Sequence, residues 1–305
     1  MKILEVDRLN NYLEEDVVSF IEKGEQAYEN ELESICTHII ENRDERPMVL
    51  LSGPSGSAKT TSALRMKKIL DEKGYPTHVI SMDNYFLPLH VDDLSKVDLE
   101  SPERMDLELI AKDMQSFIKG EAVRLPVFDF AKQDRMEGEI LQRKQDEIII
   151  LEGIHALNPD VTGSVYDNST GLYVSVRTRL EHNGALLHPS KIRLMRRLMR
   201  DSLFRGRKVP DILTAYASVQ RGETLYIMPH KHRAHYDLDT FIAYEAAAYK
   251  APLLPQLVTV PKTHEHYDLI DDLIEFLEEI DGLELSNVPS TSLVREFLGG
   301  SGFKY

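Results

Sequence analysis

The stretch GPSGSAKTT, residues 53–61, contains the residue types that hold a phosphate. The pattern of a phosphate-binding loop is G-x-x-x-x-G-K-[ST]; Gly53, Lys59 and Thr60 match it, and Ala58 stands at the second glycine. In such a loop backbone N–H groups surround the phosphates, the lysine neutralises their oxygens and the hydroxyl binds Mg²⁺. The residues predicted to contact a nucleotide are Gly53, Ser55, Gly56, Ser57, Ala58, Lys59, Thr60 and Thr61.

Alanine at position 58 leaves the activity of this loop open. A negative φ at this position makes alanine harmless, whereas a positive φ costs about 1–2 kcal/mol. The alternatives are a loop that supports turnover, a loop that only binds nucleotide, and a Ser/Gly-rich turn with a chance lysine. The flanking strand and helix patterns favour a phosphate-binding loop.

Two acidic residues follow buried apolar runs farther along the chain. Asp83 ends THVISMD (77–83), and Glu152 lies near the end of EIIILEG (147–153). Phosphoryl transfer requires positioning, charge neutralisation and an acceptor for the proton of the attacking hydroxyl. Asp83 is therefore the candidate base, and Glu152 is a candidate ligand for Mg²⁺ or its water shell. Acidic residues at strand ends are also common helix caps, which is the alternative interpretation.

The stretch RLMRRLMRDSLFRGRK (193–208) is strongly basic in an acidic chain. Arg193, Arg197 and Arg200 share one face of a helix, and Arg205 precedes a glycine. Arginines that close over a transferring phosphate accelerate the reaction strongly. We interpret the stretch as a mobile lid; a solvated basic helix face is the alternative.

The segment PVFDF (126–130) places Phe128 and Phe130 on the same side of an extended chain. Such a pair either stacks on a planar ring or packs in a core. The sequence alone does not decide between these two uses.

The elements that must position these residues alternate between strands and helices. Buried-strand patterns cover 47–52, 77–83, 147–153 and 172–177, and a helical pattern covers 59–73. This alternation predicts an α/β fold with a parallel sheet covered on both faces. Ligands of such sheets bind at the carboxyl ends of the strands, which brings both candidate carboxylates near the loop.

Three segments are predicted along the chain. Residues 1–45 form a helical extension, residues 46–260 form the core that carries the loop and the lid, and residues 261–305 form a C-terminal helical segment. The amphipathic pattern DLIDDLIEFLEEI (268–280) indicates a helix in the last segment.

Composition limits the classes of partner. A net charge of −15 argues against a protein that binds nucleic acid. The single cysteine, Cys36, excludes an internal disulfide and a zinc site built from cysteines. No stretch approaches the ~20 apolar residues that span a bilayer, and the N-terminus is too acidic for a signal peptide. We therefore expect a cytoplasmic protein without a membrane partner.

The order of several motifs resembles the uridine kinase and phosphoribulokinase family. GPSGSAKTT, MDNYF, SPERMD, PVFDF, IILEGIHALNP and RRLMRDSLFRGR follow one another as they do in uridine kinases. The similarity covers residues 47 to about 245 and is greatest to a bacterial branch of uridine kinase-like proteins. It implies the three-layer sandwich of phosphate-loop NTPases, with a mostly parallel sheet and an arginine-rich lid.

The resemblance also implies roles for individual residues. Asp83 matches the catalytic aspartate, which also touches the ribose and the metal, and Thr60 and Glu152 match the magnesium site. Glu100 matches an acid that contacts the ribose hydroxyls. The catalytic and lid residues implied with Asp83 are Lys59, Arg197, Arg200 and Arg205, of which Arg197 lies on the substrate side.

This chain departs from the family at the base pocket. Phe86 and Phe128 replace tyrosines, Gln133 replaces a histidine that contacts the pyrimidine, and Ala215 replaces a glutamine. Each change alters a polar contact, and polar contacts discriminate best between similar substrates. The sequence therefore defines the identity of the phosphate acceptor less well than it defines the phosphoryl-transfer reaction.

The leading expectation is an ATP-dependent and Mg²⁺-dependent nucleoside kinase that acts on the 5'-hydroxyl of uridine or cytidine. One alternative keeps the fold and phosphorylates another small alcohol, sugar or sugar phosphate. A second alternative is a nucleotide-binding regulatory protein with impaired turnover. We also expect a homo-oligomer.

Overall fold

The computed structural model describes residues 2–89 and 97–304. Its strands are β1 (Ile3–Glu5), β2 (Met48–Ser52), β3 (Thr77–Ser81), β4 (Ala122–Asp129), β5 (Asp134–Gln142), β6 (Ile148–Glu152), β7 (Ser169–Ser175), β8 (Arg179–His182), β9 (Ala185–Leu187) and β10 (Tyr236–Asp239). Its α-helices are α1 (Val6–Glu15), α2 (Val17–Asn42), α3 (Lys59–Glu72), α4 (Leu107–Lys119), α5 (Pro159–Thr162), α6 (Pro189–Arg205), α7 (Val209–Gly222), α8 (Glu245–Leu257), α9 (Asp271–Glu279) and α10 (Arg295–Leu298).

A five-stranded sheet with the order β10-β7-β2-β6-β3 forms the centre of the molecule, and its neighbouring strands are parallel. Side chains of β2 alternate between the two faces. Met48 and Leu50 pack in a cluster with α4, whereas Val49 and Leu51 pack in a cluster with α2, α3 and α6. Helices therefore cover both faces, which confirms the predicted α/β sandwich with a mostly parallel sheet.

The predicted strands have slightly different bounds in the structure. The strand expected over 77–83 ends at Ser81, because Met82–Tyr85 turns into a 3₁₀-helix whose first carboxylate is Asp83. The strand expected over 172–177 is Ser169–Ser175. Asp83 consequently lies on a turn just after β3 rather than within a strand.

An antiparallel hairpin, β4 and β5, stands beside the main sheet. The hairpin turn contains Gln133, which adopts a left-handed conformation with φ 53°. A second small sheet pairs β1 with β8 and β9. The hairpin is the element that carries aromatic side chains toward the carboxyl edge of the main sheet.

Both terminal segments pack on the core. In α2, the Tyr28 hydroxyl lies 2.7 Å from the Ser62 hydroxyl of α3. After α9 the chain packs against α6, and Leu293, Val294 and Phe297 are fully buried there. The division of the chain at residues 45 and 260 stays a prediction, and the predicted core includes residues 90–96, which lie outside the described residues. In the part of the chain that the structure describes, no helix combines the length and apolarity needed to cross a bilayer.

Candidate active site

The loop between β2 and α3 has a geometry that only certain residues allow. A Cβ atom at Gly53 would lie 2.1 Å from the carbonyl oxygen of Val174, so a larger residue does not fit. At Gly56, φ is 76° and a Cβ would lie 2.8 Å from the carbonyl oxygen of Arg193. The sheet and α6 therefore press against the loop and fix its path.

Ala58 has the left-handed conformation, with φ 64° and ψ 37°. An L-residue in this region costs about 1–2 kcal/mol relative to the right-handed region. The alanine is buried, so its methyl group packs in the core while its backbone bears this strain. The structure therefore selects the second of the two backbone alternatives for this position.

Lys59 begins α3, and its ammonium group donates a hydrogen bond to the Pro54 carbonyl at 3.2 Å. Burial lowers the pKa of Lys59, while the charges of Glu152 and Asp83 oppose this shift. The Ser57 hydroxyl is buried and has no hydrogen-bond partner among residues 2–89 and 97–304. A lysine beside the N–H groups of a first helical turn fits a bound phosphate.

A cavity of about 640 Å³ opens beside this loop and gathers most of the predicted site residues. The predicted residues that line it are Ser55, Gly56, Ala58, Lys59, Thr60, Asp83, Phe86, Glu100, Phe128, Gln133, Glu152, Arg197, Arg200 and Arg205. Gly53, Ser57 and Thr61 belong to the loop but do not line the cavity. The arrangement places a basic phosphate end and an aromatic end within one space.

Two carboxylates face the lysine in this cavity. Burial raises the pKa of Glu152 to about 7, and the nearby charge of Asp83 adds to the rise. Protein atoms around Asp83 likewise raise its pKa, although its side chain is exposed in the cavity, and the charges of Lys59, Arg200 and Arg205 oppose this shift. A carboxylate with a raised pKa is a better proton acceptor than an ordinary aspartate.

The residues suited to a divalent cation are Thr60, Asp83 and Glu152. The Thr60 hydroxyl lies 3.4 Å from a Glu152 carboxylate oxygen. Within the described ranges no group of three or more histidine, cysteine, aspartate or glutamate side chains could hold a metal ion. Magnesium commonly takes one or two carboxylates and completes its shell with phosphates and water, so this small donor set fits it.

Asp201 organises the basic end of the cavity, and the sequence did not single it out. This fully buried carboxylate lies 3.2 Å from Arg200, 3.3 Å from Arg205, 3.6 Å from Arg197 and 4.0 Å from Arg207. Four arginines around one aspartate leave excess positive charge that faces the phosphate loop. A pattern of basic residues alone does not show which acid gathers them.

Two other arginines of α6 hold the loop rather than line the cavity. Arg193 forms a bidentate pair with Glu223, with both distances 2.8 Å, and donates to the Ser55 carbonyl. Arg196 is fully buried. It pairs with Glu245 at 2.7 Å and donates to the Gly56 carbonyl at 3.0 Å. The basic stretch therefore combines cavity-lining and buried residues, unlike the solvated helix face considered from the sequence.

The opposite end of the cavity is aromatic. The rings of Phe86, Phe128 and Phe130 meet edge to face, with centroids 5.1–6.2 Å apart. Phe128 is buried, whereas Phe130 is 56% exposed. Gln133 donates from its amide nitrogen to the Phe130 carbonyl at 2.9 Å. Phe130 and Phe128 therefore contact each other and also border the cavity.

Glu100 lies between the two ends and packs tightly on α7. A Cβ added to Gly222 would lie 2.3 Å from the Glu100 Cβ, so only glycine lets the two segments approach this closely. Burial raises the pKa of Glu100, and the charge of Arg197 opposes this rise. Behind it, burial lowers the pKa of His155 to about 4, which keeps the imidazole neutral at physiological pH.

Comparisons with known proteins find relatives by sequence and by structure. The chain is 31% identical over 199 residues to a uridine kinase from Lactobacillus johnsonii, which covers 63% of this chain and 86% of the relative. Solved structures include a candidate fructose transport system kinase from Silicibacter sp. TM1040, with TM-score 0.47 and 20% identity over 68% of this chain and 98% of the other. A possible uridine kinase from Bacillus stearothermophilus has TM-score 0.45 and 15% identity over 69% and 98% of the respective chains.

The model of the phosphoribulokinase / uridine kinase family matches residues 48–242, which is more than half of the sequence. The matched region includes the loop, both facing carboxylates and the arginines of α6. The chain therefore belongs to the phosphoribulokinase / uridine kinase family.

Proposed function

We propose that this chain is an ATP-dependent nucleoside kinase that transfers the γ-phosphate of ATP to the 5'-hydroxyl of a nucleoside, with uridine or cytidine as first candidates. The supporting observation is the single cavity that joins the phosphate loop, Asp83 and the aromatic cluster. The relatives named uridine kinase support a kinase of this family. The acceptor, the cytoplasmic location and the homo-oligomer stay predictions.

The proposal assigns specific tasks to the residues of the cavity. Asp83 accepts the proton of the attacking hydroxyl, whose oxygen forms the new bond to phosphorus as the bond to ADP breaks. Lys59, Arg200 and Arg205 stabilise the charge that develops on the phosphate oxygens. A bound Mg²⁺ would neutralise further phosphate charge, and Thr60, Asp83 and Glu152 are the residues that would hold it.

The acceptor end suits a flat ring joined to a hydroxylated sugar. Phe86, Phe128 and Phe130 supply apolar ring surface, and Gln133 supplies an amide at the cavity wall. Glu100 offers a carboxylate that accepts hydrogen bonds from sugar hydroxyls. Arg197, whose guanidinium donates to the Ser55 hydroxyl at 3.0 Å, links this end to the loop.

The test is release of ADP from MgATP across a panel of nucleosides, sugars and small alcohols. Lys59→Ala and Asp83→Asn are run beside Lys68→Ala and Asp146→Asn, two matched changes at exposed positions. Turnover with a pyrimidine nucleoside that only the first pair abolishes is the expected result. Turnover with a sugar alone would establish the alternative acceptor, and ATP binding without turnover on any acceptor would contradict the kinase proposal.

A further inference from the structure

The C-terminal segment, residues 283–304, lies outside the region matched by the family model and yet reaches the phosphate loop. It is firmly anchored. The Ser292 hydroxyl lies 2.9 Å from the Tyr244 hydroxyl, and the Phe297 ring packs under the guanidinium of Arg196 at 5.3 Å. Buried Leu293 and Val294 add apolar contact. The segment is therefore packed against the core and forms one wall of the cavity.

This wall directs one carboxylate at the loop. The Glu296 carboxylate accepts a hydrogen bond from the hydroxyl of Thr61, in the first turn of α3, and lines the same cavity as Lys59. The cavity thus contains Glu296 in addition to Asp83, Glu100 and Glu152. A negative charge at the start of a helix takes a position that also attracts phosphate.

The negative charge of Glu296 affects how strongly a phosphate binds in the loop. A phosphate in the loop and the Glu296 carboxylate beside the first turn of α3 repel each other, and a partly buried setting screens this repulsion less than bulk water does. A cation bound to the phosphates reduces their charge and therefore the repulsion. The Glu296 carboxylate thus weakens the binding of a metal-free polyphosphate more than that of a metal-bound one.

We propose that Glu296 is a specificity-determining residue of the donor site, which weakens binding of metal-free nucleotide relative to the magnesium complex. The inference rests on the proposed kinase function, because it assigns the phosphate loop to the donor. It assigns a role to a segment that lies beyond the family match.

The test is calorimetric binding of ADP with and without Mg²⁺ to three variants. Glu296→Gln removes the charge and keeps an oxygen that accepts from Thr61. Glu284→Gln makes the same change in net charge at an exposed position of the same segment, and Glu296→Asp keeps the charge. Melting temperatures verify that each variant is folded.

We expect Glu296→Gln to bind metal-free ADP about threefold to tenfold more tightly than the parent, with a smaller gain for MgADP. Glu284→Gln should match the parent, and Glu296→Asp should bind no more tightly than the parent. Equal or weaker binding of metal-free ADP by Glu296→Gln, or an equal gain with and without Mg²⁺, would overturn the inference. In those cases turnover by the parent would leave the kinase proposal intact, whereas a parent that binds no ADP would overturn both.

Discussion

At the scale of single residues, the backbone conformation of position 58 bears on how alanine there affects stability and ATP binding. Ala58 is left-handed, a conformation that glycine adopts freely. We expect Ala58→Gly to bind ATP at least as tightly as the parent and to keep its stability. Ala58→Val should lower the free energy of unfolding by about 1–3 kcal/mol relative to the parent, because a β-branched residue rarely tolerates positive φ.

Denaturant unfolding and ATP titration of the two variants measure this difference. Equal stability of Ala58→Gly and Ala58→Val would show that the loop does not hold a positive φ at this position. Loss of binding in Ala58→Gly would show that the methyl group itself contributes to the site.

Glu152 gives a prediction about pH. Its pKa is about 7 in the folded protein and 4.5 when unperturbed, so the unfolded chain releases this proton first as pH rises. Its contribution to stability is therefore fully present below pH 4.5 and is lost as pH rises to about 7. Relative to the ligand-free parent, Glu152→Gln should gain stability over this interval, by on the order of 2–3 kcal/mol.

Chemical denaturation at several pH values measures this gain. Glu275→Gln, at an exposed position, is the matched control and should follow the parent at every pH. A difference between Glu152→Gln and the parent that stays constant with pH would contradict the raised pKa.

At the scale of elements, one buried arginine links α6 both to α8 and to the loop. Arg196 and Glu245 are both fully buried, and Arg196 also donates to the carbonyl of Gly56. Arg196→Ala leaves Glu245 buried without its partner, which typically costs about 3–5 kcal/mol. Arg124→Ala removes an exposed pair with Glu137 and should cost at most about 1 kcal/mol.

Unfolding free energies of the two arginine variants test this contrast. A cost for Arg196→Ala as small as that for Arg124→Ala would mean that water replaces the lost pair. The size of the loss in unfolding free energy thus distinguishes a buried structural ion pair from an exposed one.

Also at the scale of elements, the sequence predicted what depends on local pattern. The apolar runs of β2 and β6 and the helical spacing of α3 identified the sheet and the loop between them. The sequence placed Arg193 and Arg200 on one helix face and did not distinguish them, because their difference lies in partners, Glu223 and Asp201, and only the fold brings Glu223 near Arg193. The sequence pattern shows which residues recur at helical spacing, whereas the burial of a charged side chain depends on residues that are distant in the sequence.

At the scale of the whole molecule, the overall charge and the local charge have opposite signs. The chain carries a net charge of −15, yet arginines and Lys59 concentrate at one edge of the sheet. The sequence showed both facts, since the basic stretch was evident against an acidic composition. It did not show that the C-terminal segment contributes Glu296 to this edge, because an amphipathic pattern does not specify which surface it covers.

The contact between Thr61 and Glu296 also has a consequence for how the protein forms during synthesis. Its two residues are 235 positions apart in the chain. A ribosome makes the phosphate loop long before the segment that completes this wall, and contacts of such separation form late because a long loop must first close. A partly synthesised chain therefore has its phosphate loop without the carboxylate of Glu296, and nucleotide available in the cell meets a nascent site that differs from the mature one.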